Sequence, residues 1–280
     1  NNYDVIFMDH MMPEMDGEKT MDLVRNQQER QVATPWGEAT VILGEVEGKP
    51  VAAVQRYGPE IRIASSWVNY RANIWALKKM GVKYVIAMNA LGSINPEITP
   101  GSITLPHDFL DFTKGRPLSF FEKESCWVRV DMTDAFCSQL RKKIMASAAS
   151  LQIPLIDHAV FACSEGPRFE SAAEVKMYQM LGADLVGTPV VPEIILAREA
   201  GMCYSSIAAI MNLGCGMVES VAHDDMTKYY RSCGAQEKVE KIVRETIRTF
   251  VDDRTCRCAG AALEGVAGRF PAWYLEETEP

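Results

Sequence analysis

The sequence lacks two features that would place the protein at a membrane or on a nucleic acid: a long hydrophobic run and a basic cluster. Its longest apolar stretches, such as Ser205–Leu213, fall far short of the roughly 20 residues that a membrane-spanning helix needs. Acidic residues outnumber basic residues by 37 to 29, which gives a net charge of −8. This balance excludes nucleic acid or anionic lipid as the main binding partner. The chain starts at Asn1 without a basic flank or a signal cleavage site, so we expect a cytoplasmic location.

The motifs that usually identify a catalytic or metal site are also absent from the sequence. No nucleophile elbow, Walker loop or G-x-G-x-x-G fingerprint occurs. The four histidines are too dispersed to suggest a metal site, and the eight cysteines form no C-x-x-C pair. We therefore predict no metal and a set of reduced cytosolic thiols. The exception is Cys256-Arg257-Cys258, because a C-x-C pair can hold redox chemistry.

Predicted strands alternate with predicted helices along most of the chain. This order is typical of an α/β fold with a mostly parallel or mixed sheet covered on both faces. Ligands of such sheets bind where strands end and loops begin. We predict that the loops that follow five predicted strands converge on one pocket; these loops come after Arg56, Met88, Cys163, Val186 and Met211.

The chain divides into three predicted parts: an atypical N-terminal segment (1–30), the main domain (31–253) and a poorly ordered C-terminal tail (254–280). In the first part we predict a short helix at about Gly17–Arg25, followed by a polar break at Asn26–Arg30. In the main domain, a strand at Lys83–Met88 is predicted to lead directly into a loop at Asn89–Ser93.

Four sequence stretches match one known family in the right order. They are Thr34-Pro35-Trp36-Gly37-Glu38, Asn69–Lys78 (Asn-Tyr-Arg-Ala-Asn-Ile-Trp-Ala-Leu-Lys), Glu165-Gly166-Pro167-Arg168-Phe169-Glu170 and Val191-Pro192-Glu193. Together they resemble the purine nucleoside and methylthioadenosine phosphorylases, and the resemblance extends from Thr34 to about Asp225. It implies a single α/β domain around a distorted mixed sheet, assembled as a homotrimer or a hexamer. It also implies phosphate-dependent cleavage of the N-glycosidic bond of a purine nucleoside, without a metal or organic cofactor.

The resemblance implies a base pocket suited to 6-oxopurines. Phe169 matches the aromatic residue that packs on the purine, and Glu170 matches the carboxylate that accepts a hydrogen bond from N1–H. Asn212 matches the amide at N7 and O6, where adenine-directed members have Asp. An amide donor at N7 stabilises the negative charge that develops on the leaving base. Taken alone, such an Asn is more often a loop cap and such a Glu a solvated residue.

The remaining site residues are also carried over from the resemblance. His223 matches a histidine that reaches the ribose 5′-hydroxyl, although a surface histidine at a helix start is an equal alternative. The other predicted substrate-binding residues are Ala90, Leu91, Gly187 and Thr188. The predicted phosphate-binding residues are Arg56, Asn89 and Ala90.

The predicted phosphate site departs from the family pattern. The family's N-terminal glycine-rich loop is missing, and Tyr3–Gly17 instead resembles the phosphoacceptor strand of a receiver domain, with Asp9 at the acceptor position. Two family histidines are replaced by Tyr57 and Ile61, and Pro189 replaces a Ser or Thr that would contribute a hydroxyl. These changes predict weakened phosphate capture.

Several functions therefore remain open at this point. The first is phosphorolysis of inosine, guanosine or 5′-methylthioinosine, with Glu170 and Asn212 as the catalytic residues. A methylthioadenosine phosphorylase is an alternative, as is a nucleoside-binding or regulatory protein that lost phosphate chemistry. Hydrolysis by water is a further alternative.

Overall fold

Ten of the described strands form a mixed β-sheet at the centre of the molecule. The computed structural model describes residues 5–9, 23–58, 63–124, 126–221 and 232–276. The strands are β1 (Val5–Asp9), β2 (Arg25–Thr34), β3 (Gly37–Val46), β4 (Lys49–Gln55), β5 (Tyr84–Ser93), β6 (Ile103–Thr104), β7 (Asp108–Phe112), β8 (Trp127–Val128), β9 (Val160–Ser164), β10 (Leu185–Gly187), β11 (Cys203–Leu213) and β12 (Val266–Ala267). The main sheet has the order β2-β3-β4-β1-β5-β10-β9-β7, and β11 pairs with β5 and β6. The other two strands, β8 and β12, form a separate two-stranded antiparallel sheet.

Strand β5 is shared by three other strands. On one side of β5, β1 pairs in parallel with the first half of β5, at Tyr84–Ala87. On the same side, β10 pairs in antiparallel orientation with the end of β5, at Gly92–Ser93. On the opposite side, β11 runs parallel to β5 over its whole length. Within the described ranges, Met88–Leu91 therefore pair with β11 and have no partner on the other side of β5, where β1 gives way to β10. The carboxyl ends of β1 and β10 point towards this opening beside Met88–Leu91. We call the opening the β5 fork.

Helices cover both faces of the sheet. The described helices are α1 (Tyr70–Lys79), α2 (Ser138–Ser150), α3 (Ala172–Met180), α4 (Glu193–Glu199), α5 (Ala235–Arg248), α6 (Ala261–Glu264) and α7 (Ala272–Glu276). The apolar face of α5 packs against one side of the sheet, with Val239, Ile242 and Ile247 buried. The other side is covered by α1 and α4, and Ile74 and Trp75 of α1 are buried. The predicted α/β architecture with a mixed sheet is confirmed.

The C-terminal residues pack onto an aromatic cluster in the core. The ring of Trp273 lies 5.0 Å from both Trp36 and Trp75, and Tyr274 lies 5.7 Å from Trp75. Tyr274 is only 3% exposed. The prediction of a poorly ordered tail after Asp253 is therefore wrong for residues 254–276. Its elements are too short to carry a periodic pattern, and tertiary packing rather than helix propensity stabilises them.

Two other local predictions are also wrong. The polar break at Asn26–Arg30 is part of β2, which pairs with β3 and leaves residues 25–31 exposed, so no hydrophobic alternation appears in the sequence. The predicted loop at Asn89–Ser93 is the second half of β5, paired with β11. Of the predicted helix at Gly17–Arg25, residues 17–22 lie outside the described ranges, and Arg25 begins β2.

No helix in the described part of the chain combines the length and the apolar character needed to cross a membrane.

Candidate active site

Glu170 is a buried carboxylate at the carboxyl end of the central sheet. It lies between β9 and α3 and is 8% exposed. Ser164, the last residue of β9, donates a hydrogen bond to it, and the same hydroxyl lies 3.3 Å from the carbonyl oxygen of Gly187. Ser171 and Glu174 then form a capping box that starts α3 immediately after Glu170. The carboxylate is therefore fixed from both sides, by a strand end and by a helix start.

A cavity of about 300 Å³ opens beside Glu170. It is lined by Phe112, Lys114, Ser164, Glu165, Gly166, Arg168, Glu170, Glu174, Met177 and Tyr178. Arg168 forms a two-pronged ion pair with Glu174, with distances of 2.7 and 2.8 Å. Hydrogen bonds from Arg168 lower the pKa of Glu174 to about 2, so this acid is ionised at neutral pH. The cavity combines aromatic surface with charged groups at its rim, as small-molecule sites commonly do.

Asn212 lies at the end of β11, on the segment next to Glu170. The residues after it pack directly on α3: a Cβ atom at Gly216 would lie 2.5 Å from the Cβ of Ala172, and one at Gly214 would lie 3.3 Å from Val175. The Asn212 amide donates to the carbonyl oxygen of Leu213 at 2.9 Å. Asn212 is not among the residues that line the cavity beside Glu170. That Glu170 and Asn212 contact the same purine base therefore stays a prediction.

The other predicted substrate residues lie around these two. Phe169 is 46% exposed, so its ring is available to a ligand. Ala90 and Leu91 are buried in β5 at the fork. Gly187 ends β10 against Leu91, where an added Cβ would lie 2.8 Å from a leucine methyl group, so no larger residue fits without a shift. His223 and Ile61 lie outside the described ranges.

Arg56, the predicted phosphate ligand, is fully buried after β4. Its Nε and Nη2 atoms donate to the carboxylate of Glu193, the latter at 2.9 Å, and the Tyr204 hydroxyl donates to the same carboxylate at 2.8 Å. Burial by itself would lower the pKa of Arg56, but the Glu193 carboxylate outweighs it and holds that pKa well above its usual value. The Val-Pro-Glu motif thus keeps a permanent cation next to the end of β4.

Tyr57 and Pro189, two residues that depart from the family pattern, are also buried. Burial raises the pKa of the Tyr57 hydroxyl, so it is neutral, and the Arg56 guanidinium lies 5.7 Å from the Tyr57 ring centre. The carbonyl oxygen of Pro189 accepts a hydrogen bond from the buried thiol of Cys163 at 2.9 Å. Asn89 donates from its side chain to Ser206 at 2.7 Å, which turns this amide towards β11.

Arg116 is an organising residue that the sequence analysis missed. It is 6% exposed and connects the loops after β9 and β10. Its guanidinium donates to the carbonyl oxygens of Thr188 (2.6 Å), Val191 (2.5 Å), Ser164 (3.1 Å) and Glu165 (2.7 Å). No local pattern in Gly115-Arg116-Pro117 signals this role, because all four partners are distant in sequence.

Four of the eight cysteines, which were predicted to be scattered thiols, also lie together. The sulfur atoms of Cys137, Cys203, Cys256 and Cys258 are within 4.8 Å of one another. None of them lines the cavity beside Glu170.

Comparison with known families identifies the class of protein to which this mixed sheet, with buried polar groups at its strand ends, belongs. The family model of the phosphorylase superfamily matches residues 12–248, and the chain belongs to this superfamily. Among its relatives, the 6-oxopurine nucleoside phosphorylase of Pyrococcus furiosus is 37% identical over 250 residues, which is 87% of this chain and 93% of the relative. The S-methyl-5′-thioadenosine phosphorylase of Thermofilum pendens is 35% identical over 247 residues, covering 88% and 93%.

A solved structure gives the same result. A methylthioadenosine phosphorylase from an antarctic soil metagenomic library superposes with a TM-score of 0.88 at 26% identity, over 100% of both chains. The resemblance to the purine nucleoside and methylthioadenosine phosphorylases that the four sequence motifs indicate is confirmed.

Proposed function

We propose that the protein catalyses the reversible phosphorolysis of a 6-oxopurine nucleoside to the free base and ribose 1-phosphate. The observation that carries the proposal is the buried Glu170 carboxylate, fixed by Ser164 beside the segment that bears Asn212. A carboxylate accepts a hydrogen bond from the N1–H of a 6-oxopurine, whereas adenine has no N1–H to donate. Relatives named 6-oxopurine nucleoside phosphorylase support this choice.

The proposed chemistry depends on stabilising the leaving base. As the glycosidic bond breaks, negative charge develops on the purine, and an amide donor from Asn212 at N7 stabilises it. Glu170 orients the ring through N1–H, and the half-exposed Phe169 packs on its face. The Asn212 amide nitrogen donates one of its two hydrogens to the carbonyl oxygen of Leu213, and in this proposal the second hydrogen is donated to N7.

We place phosphate at the β5 fork, next to Arg56. The carboxyl ends of β1 and β10 converge there, and Ala90 and Leu91 line the opening. Ligands of α/β sheets bind at such points, where neighbouring strands diverge. Since Glu193 holds the Arg56 guanidinium in place, Arg56 acts as a fixed positive charge beneath the sugar. In this proposal phosphate is the only co-substrate, and Gly187, Thr188 and His223 contact the nucleoside.

The cellular context is proposed from the same family. We propose a cytoplasmic homo-oligomer, a trimer or a hexamer, that acts without metal or organic cofactor in catalysis. Nucleic acid and membranes are not proposed as partners.

A second function, nucleoside binding without turnover, is favoured by one group of contacts. Arg56 already donates two hydrogen bonds to Glu193, while Tyr57 and Pro189 stand where the family has phosphate ligands. Each hydrogen bond to a charged group contributes about 1.5–3 kcal/mol, so several missing bonds would weaken phosphate capture strongly.

The decisive experiment measures base release from inosine, guanosine, adenosine and methylthioadenosine with and without phosphate. We expect release from inosine or guanosine that depends on phosphate. Release that ignores phosphate would indicate hydrolysis, and preference for methylthioadenosine would indicate the other branch of the family. Tight inosine binding by calorimetry without any turnover would select the non-enzymatic alternative.

Variants then test the two base contacts. Glu170→Gln should lower kcat/KM for inosine by about 10–200-fold, the effect of about 1–3 kcal/mol from one mispaired polar group. Asn212→Asp should lower inosine cleavage comparably, because an ionised carboxylate only accepts hydrogen bonds. Glu97→Gln, on an exposed turn, is the matched control and should change nothing.

A further inference from the structure

Cysteines from three distant parts of the chain form a compact cluster. Cys137 precedes α2, Cys203 starts β11, and Cys256 and Cys258 lie in the C-terminal segment. Their four sulfur atoms are within 4.8 Å of one another, and the sulfurs of Cys203 and Cys256 are 3.3 Å apart. Cys137, Cys203 and Cys258 are buried, and Cys256 is partly exposed. We call these residues the four-cysteine cluster.

We propose that the four-cysteine cluster binds a structural zinc ion through four thiolates. Zinc prefers tetrahedral coordination with Zn–S distances of about 2.3 Å, which corresponds to sulfur–sulfur separations of about 3.8 Å. The Cys203–Cys256 separation of 3.3 Å lies below that value, and the upper limit of 4.8 Å for the four sulfurs lies above it. Small side-chain rotations therefore suffice to place all four sulfurs around one central ion.

The backbone of the cluster is already held in position. The Cys137 amide donates to the carbonyl oxygen of Tyr204 at 2.9 Å, and the Cys203 amide donates to that of Lys83 at 2.8 Å. The Cys256 amide donates to the side-chain oxygen of Gln139 at 3.1 Å. Ligands on fixed backbone lose little conformational entropy when they bind a metal, so the site is preorganised.

Arg198 brings a buried positive charge into contact with the four-cysteine cluster. It is 4% exposed, and its Nη1 donates to the sulfur of Cys258 at 3.0 Å. Its other hydrogen bonds go to the carbonyl oxygens of Asp131 and Asp134. No carboxylate among the described residues accepts a hydrogen bond from it. The Asp131 carboxylate interacts with Arg198 electrostatically, and a zinc tetrathiolate, with a net charge of −2, would add an anionic group in direct hydrogen-bond contact with the guanidinium.

The chemistry of the ligands selects the type of ion. Thiolates favour soft or borderline ions such as zinc over magnesium, calcium and manganese, which prefer oxygen. Binding takes up Zn²⁺ and releases the thiol protons to solvent, so no oxidant is needed. Disulfides would instead bring sulfurs to about 2.05 Å in pairs and leave Arg198 facing neutral sulfur.

The position of the site indicates a structural role. A bound ion would connect the start of α2 and the start of β11 to the C-terminal segment, whose Trp273 packs on Trp75. None of the four cysteines lines the cavity beside Glu170, so the ion takes no part in base cleavage. The inference is therefore independent of the proposed phosphorylase activity.

The test uses the full chain, purified under reducing conditions without chelator. Elemental analysis should find about one zinc per chain. Cobalt exchanged into the protein should give the visible absorption and the sulfur-to-metal charge-transfer bands of a tetrahedral tetrathiolate. Cys256→Ser and Cys258→Ser should lose most of the zinc, while Cys126→Ala, a buried cysteine outside the cluster, should keep it.

Three results would overturn the proposal. The first is reduced wild-type protein that binds neither zinc nor cobalt. The second is full zinc content in both serine variants, and the third is a cluster oxidised to disulfides by mass spectrometry although zinc was supplied. If the serine variants fail to fold, the cobalt spectrum of the wild-type protein decides the question alone.

Discussion

Glu199 offers the sharpest test of the packing, because it is an acid buried next to the aromatic cluster. It is 2% exposed, and its carboxylate accepts hydrogen bonds from the Ser119 hydroxyl and the Phe120 amide, both at 2.8 Å. Burial raises the pKa of Glu199 from 4.5 to about 7 despite these bonds. The native protein therefore keeps a proton on this group that the unfolded chain releases between about pH 4.5 and 7.

The magnitude follows from linkage. Because the native pKa is higher than the unfolded one, the stabilising effect of the bound proton is complete below pH 4.5 and is lost as the pH rises through 7. The difference of about 2.5 pH units, at about 1.4 kcal/mol each, corresponds to about 3 kcal/mol. Gln at this position resembles the protonated acid and does not titrate. Glu199→Gln should thus match the wild type near pH 4 and exceed it by about 3 kcal/mol near pH 8.

Urea unfolding followed by tryptophan fluorescence, at a fixed protein concentration and several pH values, measures this difference. Glu97→Gln serves as the control, since Glu97 lies on an exposed turn. If the wild-type and Glu199→Gln stabilities stay parallel from pH 5 to pH 8, Glu199 is ionised in the native state and the reasoning fails.

Three further substitutions test other parts of the structure. Glu193→Gln leaves the buried Arg56 without its anionic partner and should cost about 3–5 kcal/mol in urea unfolding; a loss below about 1 kcal/mol would contradict the pairing. Arg116→Lys keeps the charge but cannot reach all four carbonyl oxygens, so kcat for inosine should fall up to about 100-fold through misplaced loops. Unchanged kcat with lowered stability would leave Arg116 a purely structural role. Ser171→Ala removes the cap of α3 and should cost about 1 kcal/mol in unfolding free energy, and an unchanged midpoint would argue against the capping box with Glu174.

Elements with a strong local pattern were predictable from the sequence. The apolar run from Cys203 predicts a buried strand to Met211, and β11 ends two residues later at Leu213. The apolar face of α5 can likewise be recognised in the sequence, because its buried residues recur at helical spacing. Such patterns arise from burial of one face, and they can be read without knowing what covers it.

Elements without a covered face were not predictable in this way. Strand β2 is a polar strand because neither face of residues 25–31 is buried, so its pairing with β3 is invisible in composition. Asn89 interrupts an apolar run and suggests a loop, yet the strand continues because Ser206 accepts its buried amide. In the site, Glu170 and Asn212 were identified only through family motifs, since a lone Glu or Asn has no distinctive pattern.

Three buried arginines illustrate why the rest required the structure. Arg56 joins the end of β4 to Glu193, Arg116 joins the loops after β9 and β10, and Arg198 joins the loop before α2 to Cys258. Each guanidinium contacts groups far away in sequence, and each carries a positive charge into the interior of a chain with a net charge of −8. A buried charge persists only where its partners are fixed, so each of these arginines depends on the precise placement of its partners. Two of them lie at the loops of the proposed phosphorylase site, where positioning and a fixed positive charge favour an anionic substrate. The third, Arg198, contacts the Cys258 sulfur, where the proposed zinc thiolate would add negative charge next to the guanidinium.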